Sequence, residues 1–127
     1  MNVVDSSAWL EYFADGPNAD VFAEPIESPA DLVVPVISVY EVFKRVSQQR
    51  GEQVALGYVG VMLQSSVAGV TVELAVEAAR LSRDLGLPMA DSLMLATARA
   101  HDATLWTQDA DFDGVDGVRF FPAVRAH

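Results

Sequence analysis

The sequence predicts a three-layer α/β/α sandwich around a short, mainly parallel sheet, and three observations lead there. Short apolar runs of strand length recur along the chain, stretches with apolar residues at helical spacing separate them, and no linker or low-complexity segment breaks the alternation. Short strands alternating with helices pair in parallel through right-handed crossovers, which places helices on both faces of the sheet. At 127 residues, 51% of them hydrophobic, residues 1–127 are expected to form a single domain with its own core.

The first strand is predicted over Asn2 to Val4 and ends in Asp5. Ser6 or Ser7 can then cap a helix through Trp9, Leu10 and Phe13, which Gly16-Pro17 stops. A second short helix is expected over Asn18 to Glu27, and the β-branched run Asp31 to Val36 reads as a buried strand. Ser38 opens a long helix whose apolar positions are Val39, Val42, Phe43 and Val46. Gly51 separates it from another helix through Val54, Tyr58, Val61 and Met62, within which Gly57 and Gly60 are expected to permit close packing. Val70-Thr71-Val72 reads as a strand, and Glu73 to Leu85 and Pro88 to His101 read as helices. Two strands, Thr104 to Thr107 and Val118 to Phe121, flank an Asp/Gly-rich loop near the end.

Composition excludes several chemistries. Without cysteine there can be no disulfide framework, thiolate zinc site or cysteine nucleophile, and a cytoplasmic location is expected. The N-terminus lacks a basic segment followed by a long apolar core, and Pro35 interrupts the most apolar stretch, so neither a signal peptide nor a membrane span is expected. Two histidines, His101 and His127, give no support to a two-histidine ribonuclease mechanism. Trp9, Tyr12 and Phe13 have the helical spacing of residues that pack in a core or an interface. The formal charge of −10 opposes nucleic-acid binding by simple attraction, unless acids converge on a cation that inverts the local charge.

Their positions favour convergence. Ligands of open parallel sheets gather beyond the carboxyl ends of the strands. Asp5 ends the first strand, Asp109 follows the fourth, and Glu41 and Asp91 are expected in the first turns of helices entering from that edge. Each acid also has an ordinary role to fill. Asp5 and Asp91 suit helix starts, Ser38 to Glu41 spells a capping box, and Asp109, Asp111, Asp113 and Asp116 suit turns around Gly114 and Gly117. Together, however, hard carboxylate oxygens are what magnesium or manganese requires, and such an ion activates water and stabilises phosphoryl charge. Lys44 and Arg45 lie one turn beyond Glu41 and could meet a scissile phosphate, or could form a solvated helix face.

Four segments then resemble a known family: Val3 to Leu10, the helix start Ser38 to Glu41, Met89 to Ala98, and Leu105 to Phe112. In order and content they look like the successive motifs of PIN domains, and most of all those of VapC-type toxins of toxin–antitoxin pairs. The resemblance implies an endoribonuclease dependent on Mg2+ or Mn2+, with Asp5, Glu41, Asp91 and Asp109 as catalytic, metal-binding acids. It also implies that Ser7 and Thr107 orient them and that Asp111 supports them. A homodimer and inhibition by a cognate antitoxin are further implications. The additional acids Asp113 and Asp116 leave open which one completes the site. A competing reading is a calcium-binding module, because Asp109 to Gly114 matches half of an EF-hand loop, although Phe120 falls where that loop requires glutamate. A phosphoreceiver domain would need a lysine late in the chain, and Lys44 is the only one. A non-catalytic interaction domain is the remaining alternative.

Overall fold

The computed structural model describes residues 1–124; His127 lies outside them. Five strands, β1 (Asn2–Val4), β2 (Leu32–Pro35), β3 (Ser66–Ala68), β4 (Thr104–Thr107) and β5 (Val118–Phe120), form one sheet in the order β3-β2-β1-β4-β5. Every neighbouring pair is parallel. Six helices connect them: α1 (Ser6–Phe13), α2 (Ala19–Ile26), α3 (Val36–Arg50), α4 (Glu52–Met62), α5 (Val72–Leu85) and α6 (Met89–Ala100). None is long and apolar enough to cross a membrane.

The twofold alternation of side chains along a strand divides the core in two. Register aligns Val33, Val3, Leu105 and Val118 across β2, β1, β4 and β5, and this row packs with Ala78 and Leu81 of α5 and Met94, Leu95 and Ala98 of α6. The next positions, Val34, Val4 and Trp106, face the other way, onto Trp9 of α1, Phe22 of α2, Val42 and Val46 of α3 and Met62 of α4. Both faces are therefore apolar, as a parallel sheet covered by helices requires. Truncating a fully buried anchor such as Trp9 or Phe22 to alanine removes about 3–5 kcal/mol. Phe13 continues the aromatic stack, parallel to Tyr58 at 4.1 Å between centroids, so the Trp9–Phe13 face of α1 is used for packing.

Four local expectations need correction, the first being the cap of α1: Ser6 and Ser7 lie inside the helix, its N-cap is Asp5, and no side chain caps it. The Val70–Val72 run is not a strand: Thr71 caps α5 by accepting the Leu74 N–H at 3.1 Å, and the helix starts at Val72. The third strand lies earlier, at Ser66–Ala68, an edge strand exposed enough to lack an apolar pattern. Likewise α3 begins at Val36, directly after β2, so Ser38 is inside its first turn and no capping box forms. Ser38 is fully buried and donates to Met94 Sδ at 3.0 Å. Finally, a Cβ added at Gly57 or Gly60 would meet nothing within 4 Å, so neither glycine serves close packing. Gly51, by contrast, has φ of 92°, a conformation costly for a side-chain-bearing residue, and it does break α3 from α4.

Candidate functional site

The strand order reverses between β1, which leads on to β2, and β4, which lies on the other side of β1; a crevice opens at such a switch point. Asp5 and Asp109 arrive there from the ends of these two strands. The Asp5 N–H donates to the Trp106 carbonyl at 3.0 Å, while its own carbonyl accepts from Ala8 and Trp9 and starts α1. Its side chain caps nothing. Instead the carboxylate, only 3% exposed, accepts hydroxyl hydrogen bonds from Ser7 at 2.8 Å and Thr107 at 2.6 Å, both at Oδ2. Its other oxygen is not committed to them. The Thr107 hydroxyl also accepts the Asp109 N–H at 2.9 Å, and Asp109 Oδ1 accepts the Asp111 N–H at 2.9 Å. One buried threonine thus ties the ends of β1 and β4 into a single polar unit.

Glu41 enters from the second turn of α3, where Ser6 donates to its Oε1 at 2.8 Å. Asp91 enters from the first turn of α6, where the helix dipole favours negative charge. Carboxylate oxygens of Asp91, Asp109 and Asp111 lie within 4.8 Å of one another. Asp5, Glu41, Asp91 and Asp109, with Ser6, Ser7, Leu10 and Arg45, line one cleft of about 290 Å³. Burial, then the charges of Asp5, Asp109, Asp111 and Glu41, push the Asp91 carboxyl up to about 7. Burial also raises Asp5, opposed by its hydrogen bonds to Thr107 and Ser7. Hard oxygens, mutual repulsion and few counter-charges are the donor chemistry of a magnesium or manganese site.

All four main acids predicted from sequence therefore line one cleft, with Ser7 and Thr107 on the Asp5 carboxylate. Asp111, though exposed, joins Asp91 and Asp109 directly, whereas the equally exposed Asp113 and Asp116 do not belong to that group of three. Glu41 sits one turn deeper into its helix than expected, because α3 starts early. Arg45 lines the acidic cleft, but Lys44 lines an adjoining one. Sequence reasoning missed Ser6 as the partner of Glu41; the serine pair directly after Asp5 was its only signal. The EF-hand alternative fails, since Asp109 to Gly114 lies between β4 and β5 around a 3-10 turn at Ala110–Phe112 and has no flanking helices.

Comparison with known proteins fits this architecture. No curated protein matches the sequence significantly. Among solved structures, a toxin–antitoxin complex from Klebsiella pneumoniae is similar at a TM-score of 0.81 and 21% identity, over 98% of this chain and 100% of that one. VapC20 of Mycobacterium tuberculosis, described as a sarcin–ricin loop cleaving toxin, is similar at 0.74 and 18% identity, over 91% and 95%. FitAcB of Neisseria gonorrhoeae also gives 0.74, at 20% identity, over 96% and 98%. At these identities the likeness speaks for the fold. The PIN-domain family model matches residues 3–118, nearly the whole chain and every acid of the cleft, and the protein is a member of the PIN-domain family.

Proposed function

We propose that this protein is a divalent-metal-dependent endoribonuclease and the toxin of a toxin–antitoxin pair. The observation that carries the reading is the convergence of carboxylates from four separate segments on one small cleft, where burial and then the neighbouring acids push the Asp91 carboxyl up to about 7. A cluster of this kind is costly unless a cation neutralises it. Asp5, Asp91 and Asp109 would hold magnesium or manganese, with Glu41 and Asp111 completing the set directly or through water. An ion held there would supply Lewis-acid activation of water and charge neutralisation at the phosphoryl oxygens. The protein's own groups do the rest: Ser7 and Thr107 fix the Asp5 carboxylate, Ser6 fixes Glu41, and Arg45 offers a guanidinium to the phosphate at the cleft wall. Lys44 stands one cleft further out.

PIN domains are typically nucleases, VapC20 is described as a sarcin–ricin loop cleaving toxin, and two other structural neighbours are described as a toxin–antitoxin complex and as a member of a family of toxin–antitoxin systems. Those relationships support RNA as substrate and a cognate antitoxin as partner, which would oppose the acids with a basic residue. A homodimer is supported by the exposed apolar residues Val67 on the edge strand β3 and Val70, Val72 and Val76 in the segment that follows it. The absence of cysteine suits the cytoplasm. Incubating the purified protein with ribosomal and transfer RNA tests the proposal. Cleavage should require magnesium or manganese, stop on chelation, and disappear in folded Asp5→Asn and Asp109→Asn variants. Cleavage that survives chelation, or that the amide variants retain, refutes it.

A further inference from the structure

We infer that Tyr40, Lys44 and Gln48 form a nucleotide subsite beside the acidic cleft, in which one unpaired base of a single-stranded RNA segment stacks on Tyr40. This inference rests on the nuclease reading. The three residues recur at four-residue intervals on α3 and so form one stripe along its surface. They line a second cleft of about 330 Å³, whose remaining walls, Glu41 and Arg45, also line the acidic cleft. The two hollows are therefore contiguous, sharing one acid and one arginine.

The chemistry of the stripe differs from that of the acids. Tyr40 is 60% exposed although it is an aromatic residue on a helix with a well-used apolar face, and it belongs to neither core cluster. The Lys44 ammonium sits 5.9 Å from its ring centroid, a cation held over a π face at a site open to solvent. A base that takes the ring face releases this ammonium to the phosphate of the same nucleotide. The Gln48 amide, one turn further, can donate to and accept from a base edge. Aromatic rings with neighbouring cations are the usual platform for unpaired nucleotides, because every base has a π face. In a chain of charge −10, Lys44 and Arg45 in the walls of this cleft also lower the repulsion that an RNA strand meets there.

The test uses a single-stranded RNA octamer carrying 2-aminopurine at successive positions, mixed with the full chain in magnesium and read by stopped-flow fluorescence before cleavage. One position should be quenched on binding. Tyr40→Ala should abolish that quench and weaken binding about 5- to 150-fold, the range for losing one stacked base, with KM rising in parallel, whereas Tyr40→Phe should behave as wild type. Light scattering should give equal masses for wild type and Tyr40→Ala. Unquenched probes, equal affinities for Tyr40→Ala and wild type, or a change of mass that assigns the ring to a contact between copies would each overturn the subsite while leaving cleavage intact. Quenching without metal-dependent cleavage of any RNA would instead overturn the nuclease reading and leave only RNA binding at this stripe.

Discussion

Replacing Asp91 by asparagine removes the charge on which the site's electrostatics centre and keeps the side chain's size. Its carboxyl titrates near 7 in the folded protein against 3.8 ordinarily, because burial and then the four neighbouring acids disfavour its charge. A folded pKa above the unfolded one means that the native state holds the proton more tightly. Stability is then fully present below about pH 4 and lost as pH rises through about 7. That difference corresponds to about 4 kcal/mol in a rigid, unscreened site; solvent access and relaxation reduce it to about 1–2 kcal/mol. In chelator at about pH 8, Asp91→Asn should therefore melt about 3–6 °C above the wild type, and the gain should shrink by more than half at about pH 5. Magnesium or manganese at a hundredfold over its dissociation constant should stabilise the wild type by about 2.7 kcal/mol and the variant far less. Differential scanning fluorimetry across pH, with and without metal, measures all three effects. A variant that melts at or below the wild type at about pH 8 in chelator, or that gains as much from metal, would show that Asp91 is an ordinary helix-start residue.

Thr107→Val, of equal shape, should cost about 1–3 kcal/mol in urea denaturation, because the buried Asp5 carboxylate loses a donor and the Asp109 N–H its acceptor; Thr107→Ser should restore most of it. Glu41→Gln should remain folded, since an amide oxygen can still accept from Ser6 and no capping box is at stake, yet lose most RNA cleavage in a gel assay; full activity would remove Glu41 from the metal site. With Lys44 and Arg45 the only cations lining the two clefts among the described residues, binding of single-stranded RNA in magnesium should fall with salt at a log–log slope near −1.4, and a slope several times steeper would place the RNA elsewhere. Gly57→Ala and Gly60→Ala, helical sites open to solvent, should each stabilise by about 0.5–1 kcal/mol in the same denaturation assay.

Local signals in the sequence determined much of this protein. Valine-rich runs ending in Asp5 and Pro35, the stop at Gly16-Pro17, the break at Gly51 and the helical spacing from Val42 to Val46 act over a few residues, so the alternation of strand and helix follows from them. Given that alternation, the carboxyl edge of the sheet was the place for Asp5 and Asp109, and Asp91 followed from its helix start. The beginning of α3 was not legible, because Pro35 and Val36 pass from strand to helix without a capping side chain, while Ser38 imitates a cap but spends its hydroxyl on Met94 in the core. Nor was β3, an exposed edge strand whose backbone pairing with β2, and not burial of its side chains, makes it a strand. The network is tertiary for the same reason: Thr107 reaches Asp5 across 102 residues and Ser6 reaches Glu41 across 35, so their hydrogen bonds exist only once β4 and α3 are packed beside β1. Likewise the division of labour between Arg45, inside the acidic cleft, and Lys44, outside it with Tyr40, depends on the rotation of α3 against the sheet, which packing sets.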